Sequence, residues 1–255
     1  MKRTTAFKVL AAGYLLIVVG SLASEQGREN LPALLFGGLV VGFFVYLAFL
    51  REEPRREALR AEARRLGLSF SREDPSGIID IPFDLFGRTR RSYGALSNVL
   101  SGSWESFQVR AFDYTYSVSE DEVRECSCAM VAIPGGWPAL AIRPETPLTS
   151  IADHLALPDI GFESERFNRT FEVSSDDRRF ASAVVDARMM SWLLSLVPRC
   201  GFEIRGRWIL AYRDRVQPWE IGSVLSLVSD FVDRIPGAVR SLFPEALPPR
   251  PDAMG

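Results

Sequence analysis

Beyond Lys8 the chain has no lysine, so every later side-chain cation is an arginine or the single histidine. A GC-rich genome accounts for that usage, but its chemical consequence holds regardless. No Schiff-base lysine, phosphate-loop lysine or kinase-type lysine can exist after residue 8. The one histidine, His154, sits in Ser150–Leu155, which reads as a short helix. A lone histidine cannot make a two-histidine metal site. No G-x-S-x-G or papain-type cysteine signature accompanies it either. Cysteine is equally scarce. Cys126 and Cys128 share one face of a strand and Cys200 is remote, which is not a zinc spacing, so the three read as small buried core residues. Their odd number without regular spacing fits a reducing compartment.

Positive charge is also missing where nucleic acid would need it. Residues 1–50 carry Lys2, Arg3, Lys8 and Arg28 against Glu25 and Glu29, a net of +2, so the remainder carries −4 of the chain's −2. A mildly acidic domain is a poor nucleic-acid binder, because affinity there comes from cations neutralising phosphates. The remaining acidic clusters have ordinary explanations. Glu120, Asp121 and Glu122 lack the alternate spacing and glycine of a calcium loop and read as a solvated turn. Asp176 and Asp177 read as a helix N-terminal cap. Asn168-Arg169-Thr170 matches a glycosylation sequon by chance.

The long hydrophobic runs lie at the N-terminus. Leu31–Leu50 is twenty residues without a charge. At about 1.5 Å per residue it would extend about 30 Å, the thickness of a bilayer core. Val9–Ala23 is a shorter apolar run, readable either as a first membrane helix or as a signal peptide with Ser21-Leu22-Ala23 at its cleavage site. The short link Ser24–Asn30 favours a helical hairpin. Lys2, Arg3 and Lys8 before it, with Arg51, Arg55, Arg56, Arg60, Arg64 and Arg65 after it, place both termini in the cytoplasm.

The expected organisation is therefore a transmembrane helical hairpin over 1–50 and a charged juxtamembrane helix over 51–67, opened by Pro54 and stopped by Gly67. A cytoplasmic α+β domain follows over 68–243, and a proline-rich disordered tail over 244–255. The expected location is the cell inner membrane, multi-pass, with the lipid bilayer as one partner and a membrane or cytoplasmic protein as another.

Within the domain, Asn98–Trp104 and Phe107–Val118 read as paired strands. Phe107, Val109 and Ala111 take one face of the second, and Phe112, Tyr114 and Tyr116 the other. Arg124–Ile133 is a third strand ended by Pro134-Gly135-Gly136, and Ala139–Ile142 a short fourth. Thr170–Val173 is a strand. Phe180, Val184, Ala187, Met190, Leu194 and Val197 mark one long helix. Phe202–Ile204 and Trp208–Tyr212 read as a hairpin about Arg205-Gly206. Pro218 opens a second long helix through Ile235. The fold class is α+β on a mostly antiparallel sheet.

The run Glu163–Asp177, followed by a helix and the Phe202–Tyr212 segment, resembles a bacterial family of uncharacterised membrane-anchored proteins, in which F-N-x-x-F-x-V-x-S-x-D precedes a helix and a hairpin. Similar actinobacterial-type proteins share Phe112-Asp113-Tyr114-Thr115-Tyr116 and an N-terminal hydrophobic hairpin. The likeness extends from about Phe83 to Ile235. It implies the architecture and no catalytic residue.

No catalytic, cofactor-binding or metal-binding residue and no cofactor is named by these patterns. The leading expectation is a non-enzymatic binding or scaffolding module at the cytoplasmic face of the membrane. A membrane-surface enzyme using carboxylates is the first alternative, with Asp113 among aromatics as its first candidate. The second is a membrane-complex subunit acting through its helices, where Gly38-Leu39-Val40-Val41-Gly42 is a literal G-x-x-x-G. Tyr114, Tyr116, Trp104 and Trp137 are the aromatics whose exposure bears on binding.

Overall fold

Period-two alternation in the middle of the chain produces a sheet, as its composition dictates. The computed structural model describes residues 31–87, 94–117, 123–145 and 160–243. The chain divides into two compact units, Met1–Arg55 and Arg56–Gly255.

The first unit overturns the expected hairpin. Helix α1 runs over Leu31–Arg65 as one 35-residue element with Pro54 inside it. Its apolar tract passes without a break into one where charged residues outnumber apolar ones. No helix among the described residues is long and apolar enough to cross a membrane. The expected transmembrane hairpin is therefore corrected. With it go the multi-pass inner-membrane location with both termini cytoplasmic and transmembrane packing through Gly38 and Gly42. Val9–Ala23 lies outside the described residues.

In the second unit α1 ends at Arg65 and Gly67 takes a left-handed φ of 71°, where a side chain would be strained. Leu59 and Ala63 on that last stretch are buried in the core. Strand β1 is Ser69–Ser71, β2 Ala95–Trp104 and β3 Phe107–Ser117. Between β1 and β2, Ile78–Asp80 forms a single 3-10 turn and α2 spans Asp84–Gly87.

Strand β4, Val123–Pro144, joins the two strands expected around Pro134-Gly135-Gly136. Those residues do not end it. They are absorbed where its register with β6 (Gly201–Asp214) shifts, first between Ala132 and Trp137 and again before Leu140. The expected hairpin about Arg205-Gly206 is likewise one strand, with Gly206 at a φ of 56°.

All pairings described are antiparallel. Strand β6 lies along one edge of β4. The other edge of β4 is shared by β3, opposite Val123–Val131, and by β5 (Phe171–Ser175), opposite Leu140–Pro144.

Helix α3 is Glu165–Asn168, α4 Arg178–Val184, α5 Ala187–Ser195, α6 Ile221–Arg234 and α7 Gly237–Leu242. Instead of the long helix expected from Phe180 to Val197 there are two short ones. Asp186 caps the second by accepting from Met189 N at 2.8 Å. The break shifts the buried positions to Met189 and Leu193 and leaves Val197 exposed. The second expected long helix is present as a 3-10 turn at Pro218–Glu220 leading into α6.

The sheet separates two apolar clusters. On one face Val109, Ala111, Val131, Phe202 and Ile204 pack with the inner side of α6, where Phe202 and Phe231 stack at 4.5 Å. Each such buried Val, Ile or Phe contributes about 1.5–3 kcal/mol. On the other face Phe112, Tyr114, Cys128, Met130 and Leu210 are covered by Ile78, Phe83 and Leu85.

The residues that carry the family resemblance form a corner between these elements. Asn168 accepts from Phe162 N at 3.0 Å and donates to Phe162 O at 2.6 Å. Phe167 and Phe171 stack at 5.3 Å. Asp177 accepts from Arg179 N and Phe180 N at 2.8 and 3.0 Å, so the expected cap lies there.

Candidate functional site

Strand β6 doubles back on itself. Gly201 and Tyr212 are eleven residues apart, a separation of about 36 Å in a straight strand. Yet a Cβ placed on Gly201 would stand 2.2 Å from Tyr212 Cζ. The bend lies in the irregular stretch of the β4–β6 ribbon, where register shifts and Gly206 relax the pleat. It brings both ends of the ribbon to one cleft of about 380 Å³.

Side chains from both ends of the ribbon line this cleft. One arm supplies Tyr116 of β3, Arg124 and Cys126 from the start of β4, and Tyr212 and Asp214 from the end of β6. The other arm supplies Arg143 and Glu145 from the end of β4, with Arg199 and Gly201 leading into β6. Tyr116 is half-buried, and the ring of the fully buried Tyr114 stacks on it at 5.7 Å.

Arg143 anchors the floor with its side chain 3% exposed. Its Nη1 lies 3.4 Å from Asp84, and its Nη2 donates to Glu172 at 2.7 Å and to Ser174 Oγ at 3.0 Å. Its buried Nε has no hydrogen-bond partner among the described residues. Arg205 pairs with the same Asp84 at 2.5 Å and donates to Pro82 O at 3.1 Å. Glu203, fully buried, accepts from Asp84 N at 2.6 Å and Leu85 N at 2.9 Å. This network fixes α2 across the sheet. Sequence reasoning missed it, although a charged residue at the alternate positions of two otherwise apolar strands was the available signal.

Asp113, the candidate base, lies on the opposite face and does not line the cleft. It is 3% exposed and accepts from Asn98 Nδ2 at 2.8 Å and Ser127 Oγ at 3.2 Å, with Arg215 at 3.6 Å. Ser127 Oγ in turn accepts from Val216 N, so Asp113 latches the exit of β6 to the sheet.

Cys126 and Cys128 share a face, with Sγ atoms 3.7 Å apart. Burial, then the neighbouring Cys126, pushes the Cys128 thiol well above its ordinary range. Burial pushes Cys200 up to about 11, against the opposing charge of Arg213 and with Asp214 adding to the rise. Cys200 packs in the other core cluster, so the structure does not bring the three thiols together. Among the described residues no group of three His, Cys, Asp or Glu side chains is placed to hold a metal. Trp137 is buried and Trp104 half-buried against the core. His154, Glu120, Asp121 and Glu122 lie outside the described residues.

No family model matches the chain, and no curated protein does. Among solved structures, the crystal structure of the mycobacterial trehalose monomycolate transport factor A, TtfA, matches with a TM-score of 0.54 at 14% identity. The match covers 78% of this chain and 99% of that one. At that identity the likeness is one of fold.

Proposed function

We propose that the chain is a non-enzymatic accessory factor in the transport of an amphipathic cargo, acting by binding through the cleft between the two ends of the β4–β6 ribbon. The observation that carries this reading is the extent of the structural match: nearly the whole of a transport factor's crystal structure is accounted for by this fold. The chemistry of the carboxylates supports it. Asp113, the residue on which an enzymatic reading rested, is engaged as a latch on the face away from the cleft. Glu203 and Asp84 are likewise committed to holding α2. The cleft itself is a concave site of mixed polarity, the form that small-molecule and headgroup recognition takes.

Deletion of the gene in its host, followed by isotopic labelling of envelope glycolipids, tests this. The expected result is unchanged synthesis with a several-fold fall in the delivered fraction, restored by the wild-type gene. Accumulation of a chemically altered lipid would point to an enzyme instead. An unchanged distribution would reject the accessory role.

A further inference from the structure

The charges of the cleft nearly cancel. Arg124, Arg143, Arg199 and Arg213 stand with Glu125, Glu145 and Asp214, and Arg143 is already paired with Glu172 and Asp84. An isolated phosphate or carboxylate would meet these acceptors as well as the donors, and like charges brought together in a concave site repel. A neutral ligand rich in hydroxyl groups meets no such conflict. Each hydroxyl both donates and accepts. A guanidinium offers parallel donors in one plane and a carboxylate offers two acceptors, so both fit a pair of adjacent hydroxyls.

The remaining lining suits the same ligand. Tyr116 brings an aromatic ring to the lining of the cleft, with the Tyr114 ring stacked on it. A π-face is electron-rich and attracts the weakly positive C–H groups on the face of a sugar ring. The buried Nε of Arg143 lacks an acceptor among the described residues. A buried donor of this kind favours a state in which an acceptor satisfies it. The volume of about 380 Å³ lies within the range of small-ligand sites, about 300–1,000 Å³.

We infer that this cleft binds a neutral pyranose sugar, with Tyr116 beneath the ring and Arg124, Arg143 and Asp214 on its hydroxyls. The role of that binding in transport rests on the accessory reading above. The same head could arrive as a free sugar or as the head of a glycolipid.

Saturation-transfer NMR on the purified full-length chain tests the inference, with α,α-trehalose as probe, a short-chain 6-O-acyl trehalose as the lipid-like form and inositol phosphate as anionic comparator. The expected result is transfer to the trehalose ring protons with a Kd of about 1 mM or tighter. Tyr116→Ala and Arg124→Gln, both half-buried, should each weaken it about tenfold. Circular dichroism and melting temperature of these variants should stay close to wild type. An acyl ester that displaces trehalose at lower concentration identifies a glycolipid head as the source, and equal competition identifies the free sugar. Absence of transfer to sugar, preferential binding of inositol phosphate, or undiminished transfer in both folded variants overturns the inference. Sugar binding that fails while gene deletion still blocks delivery leaves the accessory role standing. Sugar binding without a delivery defect removes that role and keeps the site.

Discussion

Gly201 lies directly against the ring of Tyr212, the two residues closing the bend of β6 upon itself. A methyl group at position 201 would enter the Tyr212 ring at 2.2 Å, and that ring is 8% exposed with little room to turn away. Gly201→Ala should therefore destabilise the protein by about 1–3 kcal/mol, as overpacking does. The same substitution in a Tyr212→Ala background should be nearly silent, because the clash is shared by the pair. Urea unfolding followed by tryptophan fluorescence measures both, and additive effects would show that the two residues do not meet.

The link between Glu203 and α2 joins segments far apart in sequence. Glu203→Ala would leave Asp84 N and Leu85 N buried without acceptors. The expected loss is about 2–4 kcal/mol, from about 1–3 kcal/mol for each orphaned group with partial relief by water. Glu203→Gln keeps one acceptor and should lose less. Amide hydrogen exchange at Leu85 should quicken in the alanine variant more than at Val131 in the sheet centre. Equal protection at Leu85 in wild type and variant would contradict the assignment.

Local patterning was readable where one periodicity acted alone. The two faces of β3 divide as alternation predicts, with Val109 and Ala111 on the helix side and Phe112 and Tyr114 on the other. The α+β class followed from the same signal. The cleft was not readable, because it depends on Pro134-Gly135-Gly136 and Gly206 bending strands that those residues ordinarily end. Cys126 and Arg143 share a site only through that bend. The continuity of α1 was hidden for a related reason. Pro54 reads as a helix start, yet good helix formers on both sides carry α1 through it.

Asp113 is buried and joins Asn98, Ser127 and Arg215 at the exit of β6. Asp113→Ala removes the acceptor of Asn98, of Ser127 and of the Arg215 charge, leaving the hydroxyl that accepts from Val216 N without an acceptor of its own. The expected destabilisation is about 2–4 kcal/mol, discounted from a fully buried pair because Arg215 is partly exposed. Asp113→Asn keeps part of the bonding and should lose about half as much. Both effects belong in unfolding curves. A folded Asp113→Asn with undiminished stability would contradict the latch.

Thiol burial sets a limit on alkaline stability. The Cys200 thiol rises from 9.0 to about 11 through burial, so the unfolded chain ionises first as pH increases. Its contribution is fully present below about pH 9 and is lost as pH passes through about 11. Two pH units correspond to at most about 2–3 kcal/mol, and Cys128 acts in the same direction. The urea midpoint of the wild type should therefore fall more steeply over that range than that of Cys200→Ala. Parallel curves for the two proteins would show that Cys200 is not buried as described.

Asp186 decides the phase of the helical region that follows β5. Its backbone is extended, with φ of −78° and ψ of 178°, and its side chain accepts from Met189 N. One continuous helix would have turned Met190, Leu194 and Val197 inward with Phe180 and Val184. The cap restarts the helix, so Met189 and Leu193 are fully buried, whereas Val197 is 90% exposed. Asp186→Ala should destabilise by about 1 kcal/mol, the usual loss of an N-cap. The sharper test compares neighbours of identical chemistry. Met189→Ala creates a cavity and should be destabilising by about 2–5 kcal/mol, while the half-buried Met190→Ala should lose less than about 1.5 kcal/mol. Because both are methionine to alanine on one helix, propensity and unfolded-state effects largely cancel between them. Their difference then reports the phase alone, and a larger loss at Met190 would restore the single continuous helix.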